Sequence, residues 1–356
     1  MNSNSEHHSN SYDSEGLEDF GPLVNIPETS LITLARGIRE RVLHASTTRG
    51  EHVSRIVGWY SLVHIIQLDD IKLVIRIPSS GWGSAMTETA AHAIESDVAT
   101  MRFVSQSTSI PVPKIYDFDV TDGNVIKAPY ICMSFASGTP ISQVWHNKKS
   151  TSTTSREDFR LNILRNVAEM TAECYHFPFD KIGSISGEGG GSIGPCYQWY
   201  RDDDGVLRVI SLGPFDSTDD FIEARIKASR DDPTVEASNE EARFTLFSLP
   251  TFGSNTVFVL RPPDYDAANI FVDDQGNITG WIGWEHPHTA SQAVMFPRFL
   301  SWIMADCAAM DDWPETTEDP PEVLHGYRKY YTEEFLKSLF PRGAGCSQGY
   351  HISQDV

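Results

Sequence analysis

The stretch that decides the fold is VFVLRPPDYDAANIFVDDQGNITGWIGWEHP, which runs from Val257 to Pro287. It places Asp264 five residues before Asn269, and a strand, an Asp-Asp-Gln-Gly turn and a second strand follow at once. In phosphoryl transfer, a loop carboxylate accepts or orients the attacking hydroxyl, and an amide five residues later holds a metal ion. A loop that enters a hairpin can aim both side chains at one site. The spacing therefore predicts a loop that handles phosphate.

The composition restricts the partners of the chain. Its 356 residues carry 28 Lys and Arg against 49 Asp and Glu, which gives a net charge of -21. Such an acidic surface repels a nucleic-acid backbone and an anionic membrane, so we expect neither as a partner. The five cysteines are scattered without a C-x-x-C pair, which argues against a disulfide framework and against structural zinc. We expect a cytoplasmic protein with a small-molecule substrate, and the sequence leaves the oligomeric state open.

Strand and helix patterns divide the chain into a β-rich first third and a mostly helical remainder. RIVGWYSLVHIIQL and IKLVIRIP predict strands joined by a turn at Asp69–Asp70, and AHAIESDVATMRFV predicts a helix. Ser155 and Asp158 form the sequence pattern of a helix cap, and Ser217 and Asp220 repeat it. Further helices are predicted to begin at Pro297 and to span Glu322–Phe340.

These elements predict an α+β protein with two lobes. The expected boundaries are a disordered acidic tail at 1–20, an N-lobe of one sheet and one helix at 21–136, a helical C-lobe that contains the hairpin at 137–340, and a flexible tail at 341–356. A small-molecule site is expected in the cleft between the two lobes, where ligands of such proteins usually bind.

Six segments of the chain resemble the aminoglycoside phosphotransferase family, within the protein-kinase-like superfamily, and especially its fungal branch. In chain order they are LVIRIP, SIPVPKIYDFD, YICMSFASGTPISQVW, FDKIGSI, LGPFDSTDDF and DAANIFVDDQGNITG. The resemblance covers roughly residues 50–310. It implies a bilobal kinase-like fold with a β-rich N-lobe and a mainly helical C-lobe, and it implies ATP and Mg²⁺ as cofactors.

The resemblance assigns nucleotide-binding roles to residues of the first lobe. A strand-borne basic residue reaches the nucleotide phosphates in the family, and Arg76 holds that place. The helix carboxylate that pairs with it falls at Asp97, which is shorter than the usual Glu; the alternative interpretation is a solvated surface pair. Met133 and Phe135 lie in the segment that resembles the adenine-binding hinge. The phosphate cover would lie at GWYSLVHII, where Gly58 is the single glycine.

Two positions depart from the family pattern. The catalytic loop keeps Asp264 as the base and Asn269 as a metal ligand, but Pro262 replaces its usual His. The metal-binding Asp of an I-D-W-E-like segment is missing, because this chain has Gly283 in IGWE. Glu285 would be the substitute ligand: on an ideal strand it would share a face with position 283, about 6–7 Å away. The alternative interpretation is that Glu285 is an acidic residue with a purely structural role.

The residues around Gly283 suggest a different use of the site. Trp281 and Trp284 would form apolar walls for a substrate, although core packing is the usual fate of a tryptophan. His286 and His288 would project together from one strand face, and no third metal ligand accompanies them. With Asp264 and Asp266, these histidines are the candidate catalytic groups, while Gly283 and Glu285 would contact the substrate.

Three functions fit these patterns. The first is a kinase-like fold with impaired phosphotransfer that needs no cofactor and transforms a small molecule, by isomerisation or cyclisation, in secondary metabolism. The second is an ATP-dependent small-molecule phosphotransferase in which Asn269 and Glu285, or Asp266, hold the metal. The third is a non-catalytic binding protein, a pseudokinase.

Overall fold

The computed structural model describes residues 17–146, 155–187, 191–228, 257–262, 265–292, 299–304 and 319–341. The chain forms two compact units. In its described part, the first unit comprises 17–103, Pro113–Phe135 and Gly183–Pro214, and the second comprises Val104–Val112, Ala136–Ile182 and 215–341. The units interleave along the chain, and the linear boundaries expected at 20, 136 and 340 stay a prediction.

The first unit is built on a five-stranded antiparallel sheet. Its strands, in chain order, are β1 (Gly50–Val57), β2 (Ser61–Leu68), β3 (Ile71–Pro78), β4 (Ile115–Asp119) and β5 (Tyr130–Ser134). In space they follow the order β1-β2-β3-β5-β4. β2 and β3 form because apolar and polar residues alternate along them, so that one face of each strand is buried.

The turn between β2 and β3 lies where the sequence predicts it. Asp69 has a φ of 46°, in the left-handed region that Asp tolerates. Its carboxylate accepts hydrogen bonds from the backbone N–H groups of Thr48 and Arg49 at 3.0 and 2.8 Å. These bonds, together with the Thr48 hydroxyl, lower the pKa of Asp69. The predicted Asp-Asp turn is therefore confirmed.

Helix α1 (Glu28–Leu43) and helix α2 (Glu88–Ser107) as far as Phe103 belong to this unit, whereas the sequence patterns indicated one helix over 21–136. The first helix carries Leu31, Leu34 and Ile38 on one face, and all three are buried in one core with the sheet residues. Their helical spacing was visible in the sequence. The second helix confirms the one predicted over AHAIESDVATMRFV.

Four further strands join the first unit from a distant part of the chain. They are β8 (Ser184–Ser186), β9 (Ser192–Gly194), β10 (Cys196–Arg201) and β11 (Leu207–Leu212). They form two antiparallel pairs, β8 with β9 and β10 with β11. The sequence patterns predicted none of these strands, and the expected boundaries placed this region in a helical lobe.

The second unit combines helices with short strands. Its helices are α3 (Ile141–Val144), α4 (Arg156–Cys174), α5 (Thr218–Ala228) and α6 (Pro321–Leu339). Its strands are β6 (Thr139–Pro140), β7 (Pro178–Phe179), β12 (Phe258–Leu260), β13 (Ile270–Val272), β14 (Ile278–Trp281) and β15 (Thr289–Ser291). They form two three-stranded sheets, β15-β12-β7 and β14-β13-β6. The predicted α+β composition is thus confirmed, with one β-rich unit and a second unit that contains most of the helices.

Both predicted helix caps are present. The Ser155 hydroxyl accepts a hydrogen bond from the Asp158 N–H at 3.1 Å, and the Ser217 hydroxyl accepts one from Asp220 at the same distance. Pro297 lies outside the described residues, and Ser301–Ile303 beyond it form a single 3-10 turn. In the portion of the chain that is described, no helix has the length and the apolar character needed to cross a membrane.

A buried charge network ties α4 to the start of α6. Arg160 donates to an Asp319 carboxylate oxygen at 2.8 Å and to the Trp145 carbonyl oxygen, and the Asp319 carboxylate also accepts from the Trp145 indole N–H. The Arg160 and Asp319 side chains are 5% and 8% exposed. A buried ion pair of this kind leaves a costly unpaired charge when one partner is removed.

We expect Asp319→Asn to lower the free energy of unfolding by roughly 3 kcal/mol, because it leaves the buried Arg160 guanidinium without its counterion. The matched control is Glu334→Gln, which removes the Lys337 pair on the surface of α6 (2.7 Å) and should cost less than about 1 kcal/mol. Urea unfolding of the two variants measures the difference. Equal losses would contradict the role given to this network.

A second buried polar group lies in β2. The His64 Nδ1 atom is 3.0 Å from His52 Nε2, and His52 Nδ1 is 3.2 Å from a Glu28 carboxylate oxygen. His64 is 3% exposed. Burial, followed by the charges of His52 and Arg55, lowers its pKa to about 4. The folded protein therefore holds His64 neutral at pH values where the unfolded chain protonates it.

This difference makes stability depend on pH. The contribution of neutral His64 is fully present above the unfolded pKa of about 6.5, and it is lost as the pH falls towards 4, up to about 3 kcal/mol. Urea unfolding between pH 7 and pH 4.5 should show this loss in the wild type. His64→Gln cannot titrate and should show a flatter profile, and an identical profile would disprove the assignment.

Candidate functional site

The predicted catalytic loop forms a tight turn directly before the β13–β14 hairpin. An Asp266 carboxylate oxygen accepts the Ala268 N–H at 2.6 Å, and the Asp266 carbonyl oxygen accepts the Asn269 N–H at 3.0 Å. The Ile282 N–H donates to the Asn269 carbonyl oxygen at 2.9 Å. Asp266 therefore shapes the turn that presents Asn269. Asp264 lies outside the described residues, so its role as the base stays a prediction.

The hairpin turn is fixed by its own side chains and by α4. Asp273 accepts the N–H groups of Gln275 and Asn277 at 2.8 and 2.9 Å. Burial raises the pKa of Asp273, but hydrogen bonds from Asn277 and its neighbours outweigh this and lower it. The Asn162 amide of α4 donates to the Gln275 carbonyl oxygen at 3.0 Å. A short hairpin held at its turn in this way positions the residues at its other end.

Gly283 lies at that other end, with a backbone that glycine adopts readily. Its φ is 84°, in the left-handed region. A Cβ at this position would lie 2.9 Å from the side-chain nitrogen of Asn269 and 3.1 Å from its Cγ. The Asn269 amide thus packs against the Cα of Gly283. A larger residue at 283 would require this amide to move, which a terminal side-chain group can do.

The strand ends at Trp281, and this overturns two expectations from the sequence. Gly283, Glu285 and His286 lie in a loop, so the alternation that placed Gly283 and Glu285 on one strand face does not apply. His286 and His288 do not project from one strand face either. The φ of His286 is 47°, while His288 is buried beside the Phe221 ring, with 5.5 Å between ring centroids. Gly283 and Pro287 on either side of His286 are the turn-forming residues that could have indicated this loop.

The described residues do not fit a Mg²⁺ site. Position 283 offers no carboxylate, and one Asp266 oxygen is used in its turn. Within the described ranges, no group of three His, Cys, Asp or Glu side chains could hold a metal ion. Asn269 and the half-buried Glu285 remain the residues that a phosphotransferase would have to use, and their metal role stays a prediction.

The two tryptophans beside Gly283 are core residues in this structure. Trp281 is 0% and Trp284 is 1% exposed. Their ring centroids lie 6.2 Å apart, Tyr265 packs on Trp281 at 5.8 Å, and the Trp284 indole N–H donates to the Trp281 carbonyl oxygen at 3.0 Å. A ligand would reach either indole only after neighbouring side chains move. Their role as substrate walls stays a prediction.

The first unit brings together the predicted phosphate-binding pair. Arg76 in β3 donates from Nη2 to an Asp97 carboxylate oxygen of α2 at 2.7 Å. The side chains are 11% and 4% exposed, so this is a buried ion pair and not a solvated surface pair. Asp97, although shorter than the Glu of the family pattern, therefore reaches Arg76. Contact with a nucleotide stays a prediction.

The predicted hinge residues occupy different surroundings. Met133 lies within β5, opposite Val74 of β3 and Ile115 of β4, and it is buried. Phe135 follows the strand end, is 40% exposed, and lies under the Lys72 ammonium at 4.9 Å from the ring centroid. The structure thus leaves Phe135 accessible. Adenine binding at either residue stays a prediction.

Comparison with solved structures confirms the fold. A putative aminoglycoside phosphotransferase from Ralstonia eutropha JMP134 matches with a TM-score of 0.55 and 14% identity, over 87% of this chain and 80% of that one. A macrolide 2'-phosphotransferase type I matches with a TM-score of 0.48 and 11% identity, over 88% and 83% of the two chains. The first match confirms the resemblance stated from the sequence, at the level of the fold.

Curated relatives are fungal and much longer than the matched region. A subtelomeric hrmA-associated cluster protein of Aspergillus fumigatus is 32% identical over 129 residues, 36% of this chain and 23% of that protein. An altered inheritance of mitochondria protein 9 of Clavispora lusitaniae is 22% identical over 197 residues, 55% of this chain and 28% of that protein. The alignments thus span about a quarter of these relatives. No protein-family model matches the chain.

Proposed function

We propose that this chain is a kinase-like-fold protein with impaired phosphotransfer that binds an apolar small molecule and transforms it by isomerisation or cyclisation. The proposal rests on position 283. The family pattern requires a metal-binding carboxylate there, and this chain has a glycine whose Cα packs against the Asn269 amide. The proposal places the protein in secondary metabolism and in the cytoplasm.

The rate that would be lost without the metal-binding carboxylate supports impaired phosphotransfer. A catalytic metal ion stabilises developing charge on a transferring phosphoryl group by several kcal/mol. Each 1.36 kcal/mol changes a rate tenfold. Without the principal carboxylate ligand, transfer from a nucleotide triphosphate would slow by orders of magnitude, unless another carboxylate took its place. Glu285 lies in a loop two residues further on and would have to turn towards Asn269.

Buried tryptophans limit how a substrate could bind. Because Trp281 and Trp284 lie in the core, an apolar substrate near Gly283 would need these side chains or their neighbours to shift. The candidate catalytic groups remain Asp264 and His286, together with Asp266 and the buried His288. The proposal therefore depends on the missing carboxylate at position 283, and the two tryptophans would contact a substrate only after such a rearrangement.

A second candidate function is an ATP-dependent small-molecule O-phosphotransferase. The buried Arg76–Asp97 pair favours it, because this is the arrangement expected of a phosphate-binding strand and helix. Asp264 would then be the base, and Asn269 with Glu285 would hold Mg²⁺. A non-catalytic binding protein is the third possibility, and it would use the same pair without any transfer.

The test compares three proteins: wild type, Gly283→Asp and Gly283→Asn. Both substitutions tolerate a left-handed backbone and both displace the Asn269 amide, but only Asp adds a charge. We expect Gly283→Asp to bind ATP at least tenfold more tightly in Mg²⁺ than in EDTA, and Gly283→Asn and wild type to show no such difference. Isothermal titration calorimetry with ATP measures it.

The outcomes separate the candidate functions. Tight Mg²⁺-dependent ATP binding by the wild type, with turnover of ATP, would overturn impairment and support the phosphotransferase. Wild type that binds no ATP, beside Gly283→Asp that does, would support a lost metal site. Incubation of wild type with a metabolite library, followed by mass spectrometry, then searches for a product of unchanged mass. Product that carries an added phosphate would contradict the first proposal.

A further inference from the structure

Residues 183–214 leave the second unit, which contains the chain on both sides of them, and pack in the first. The β10–β11 hairpin lies against the N-terminal half of α2. Ala90 and Ala93 of the helix form a buried apolar cluster with Val209 of β11, and Tyr197 and Trp199 of β10 pack against it. This half of α2 therefore owes part of its apolar packing to a segment about one hundred residues away in the chain.

A second contact lies beside the carboxylate that binds Arg76. The Ser96 hydroxyl of α2 donates to the Ile185 carbonyl oxygen of β8 at 2.9 Å, and both residues are buried. Ser96 directly precedes Asp97. Burial, and then the charges of Glu95 and Asp97, raise the pKa of Tyr197. Two strands of the segment therefore meet α2 at the turn that carries Asp97.

Trp199 also contacts the turn between β1 and β2. The Tyr60 ring stacks on it with centroids 4.9 Å apart and planes 8° from parallel. The Tyr60 carbonyl oxygen accepts the Ser79 N–H at 2.8 Å, just beyond β3. Trp199 thus packs against the cluster that contains Ala90 and Ala93 of α2, and it stacks on Tyr60 in the turn that resembles a phosphate cover.

An ion pair and hydrogen bonds hold the turn end of the β10–β11 hairpin in place. Arg201 donates twice to the Asp19 carboxylate, at 2.7 and 2.9 Å. The Arg208 guanidinium binds the carbonyl oxygen and the hydroxyl of Ser84, which lies just before α2. The turn end of the hairpin is therefore attached to Asp19 and to Ser84, close to the start of α2.

We propose that residues 183–187 and 191–214 act as an internal clamp, and that Trp199 is the positioning residue through which this clamp holds α2 with Asp97 against Arg76. The physical reason is that a helix keeps its place through the packing of its apolar face. Loss of the clamp would let the first half of α2 move away from β3. The inference rests on the second candidate function only in taking Arg76 as a contact for an anionic ligand.

The first experiment is hydrogen–deuterium exchange of the unliganded protein. Trp199→Ala should speed exchange at least tenfold at residues 88–97 and 58–61. Trp199→Phe keeps an aromatic face for Tyr60 and should restore protection. Gln198→Ala is the matched control, because Gln198 points to the opposite face of the same strand. Exchange in α1 and α4 reports global opening. The increase at residues 88–97 and 58–61 supports the proposal only where it is larger than the increase in α1 and α4.

The second experiment measures the ion pair itself. A double-mutant cycle of Arg76→Met and Asp97→Asn gives the coupling of the pair in the unfolding equilibrium. We expect a coupling of about tenfold in the wild-type background and less than about threefold in Trp199→Ala, with recovery in Trp199→Phe. A purely structural role of Trp199 would lower stability and leave this coupling unchanged.

Each outcome decides the proposal. Faster exchange in α2 with weakened Arg76–Asp97 coupling supports the clamp. Unchanged exchange in α2, or unchanged coupling, overturns it. ATP affinity is measured in parallel: if wild type binds ATP, Trp199→Ala should bind at least tenfold more weakly. If the wild-type protein binds no ATP, the phosphotransferase function is excluded. The exchange and coupling measurements still test the clamp, because they need no nucleotide.

Discussion

The close packing of the Asn269 amide against the Cα of Gly283 is the constraint on which the candidate site depends. The β13–β14 hairpin brings these residues together, because Ile282 donates its N–H to the Asn269 carbonyl oxygen and the chain then turns through a left-handed backbone. An aspartate could adopt this backbone. The backbone at position 283 could therefore present a carboxylate, and only the side chain that would carry it is missing.

The cost of removing two charges from water governs the energetics of the Arg76–Asp97 pair. Burial of two charges costs several kcal/mol in lost hydration, and a well-packed apolar pair is often at least as stable. The 2.7 Å bond between nearly buried side chains is thus weak support for a stabilising role. A role in holding the guanidinium in one orientation explains it better, and the packing of residues 183–214 on α2 fits such a role.

Features set by neighbouring residues could be predicted from the sequence. The Asp69 turn, the Ser155 and Ser217 caps and the alternation in β2 and β3 each depend on a few adjacent positions. Residues 183–214 could not be placed, since their short strands join a unit distant in sequence and tertiary packing decides where they lie. The strand expected to reach Glu285 ended at Trp281, because the chain turns at Gly283 and His286. Helix α1 was missed although its apolar spacing is regular.

The candidate site residues of the first unit and those of the second unit lead to opposite expectations about the ligand. The first unit has assembled a buried cation–carboxylate pair that suits an anionic ligand, while the second lacks the carboxylate that a metal-bound triphosphate needs. A protein that had lost all use for an anion would be under no physical pressure to bury Arg76 with Asp97, since apolar residues would pack there at lower cost. The buried pair therefore favours an anionic group on a ligand of the first unit, and the missing carboxylate independently favours impaired transfer in the second.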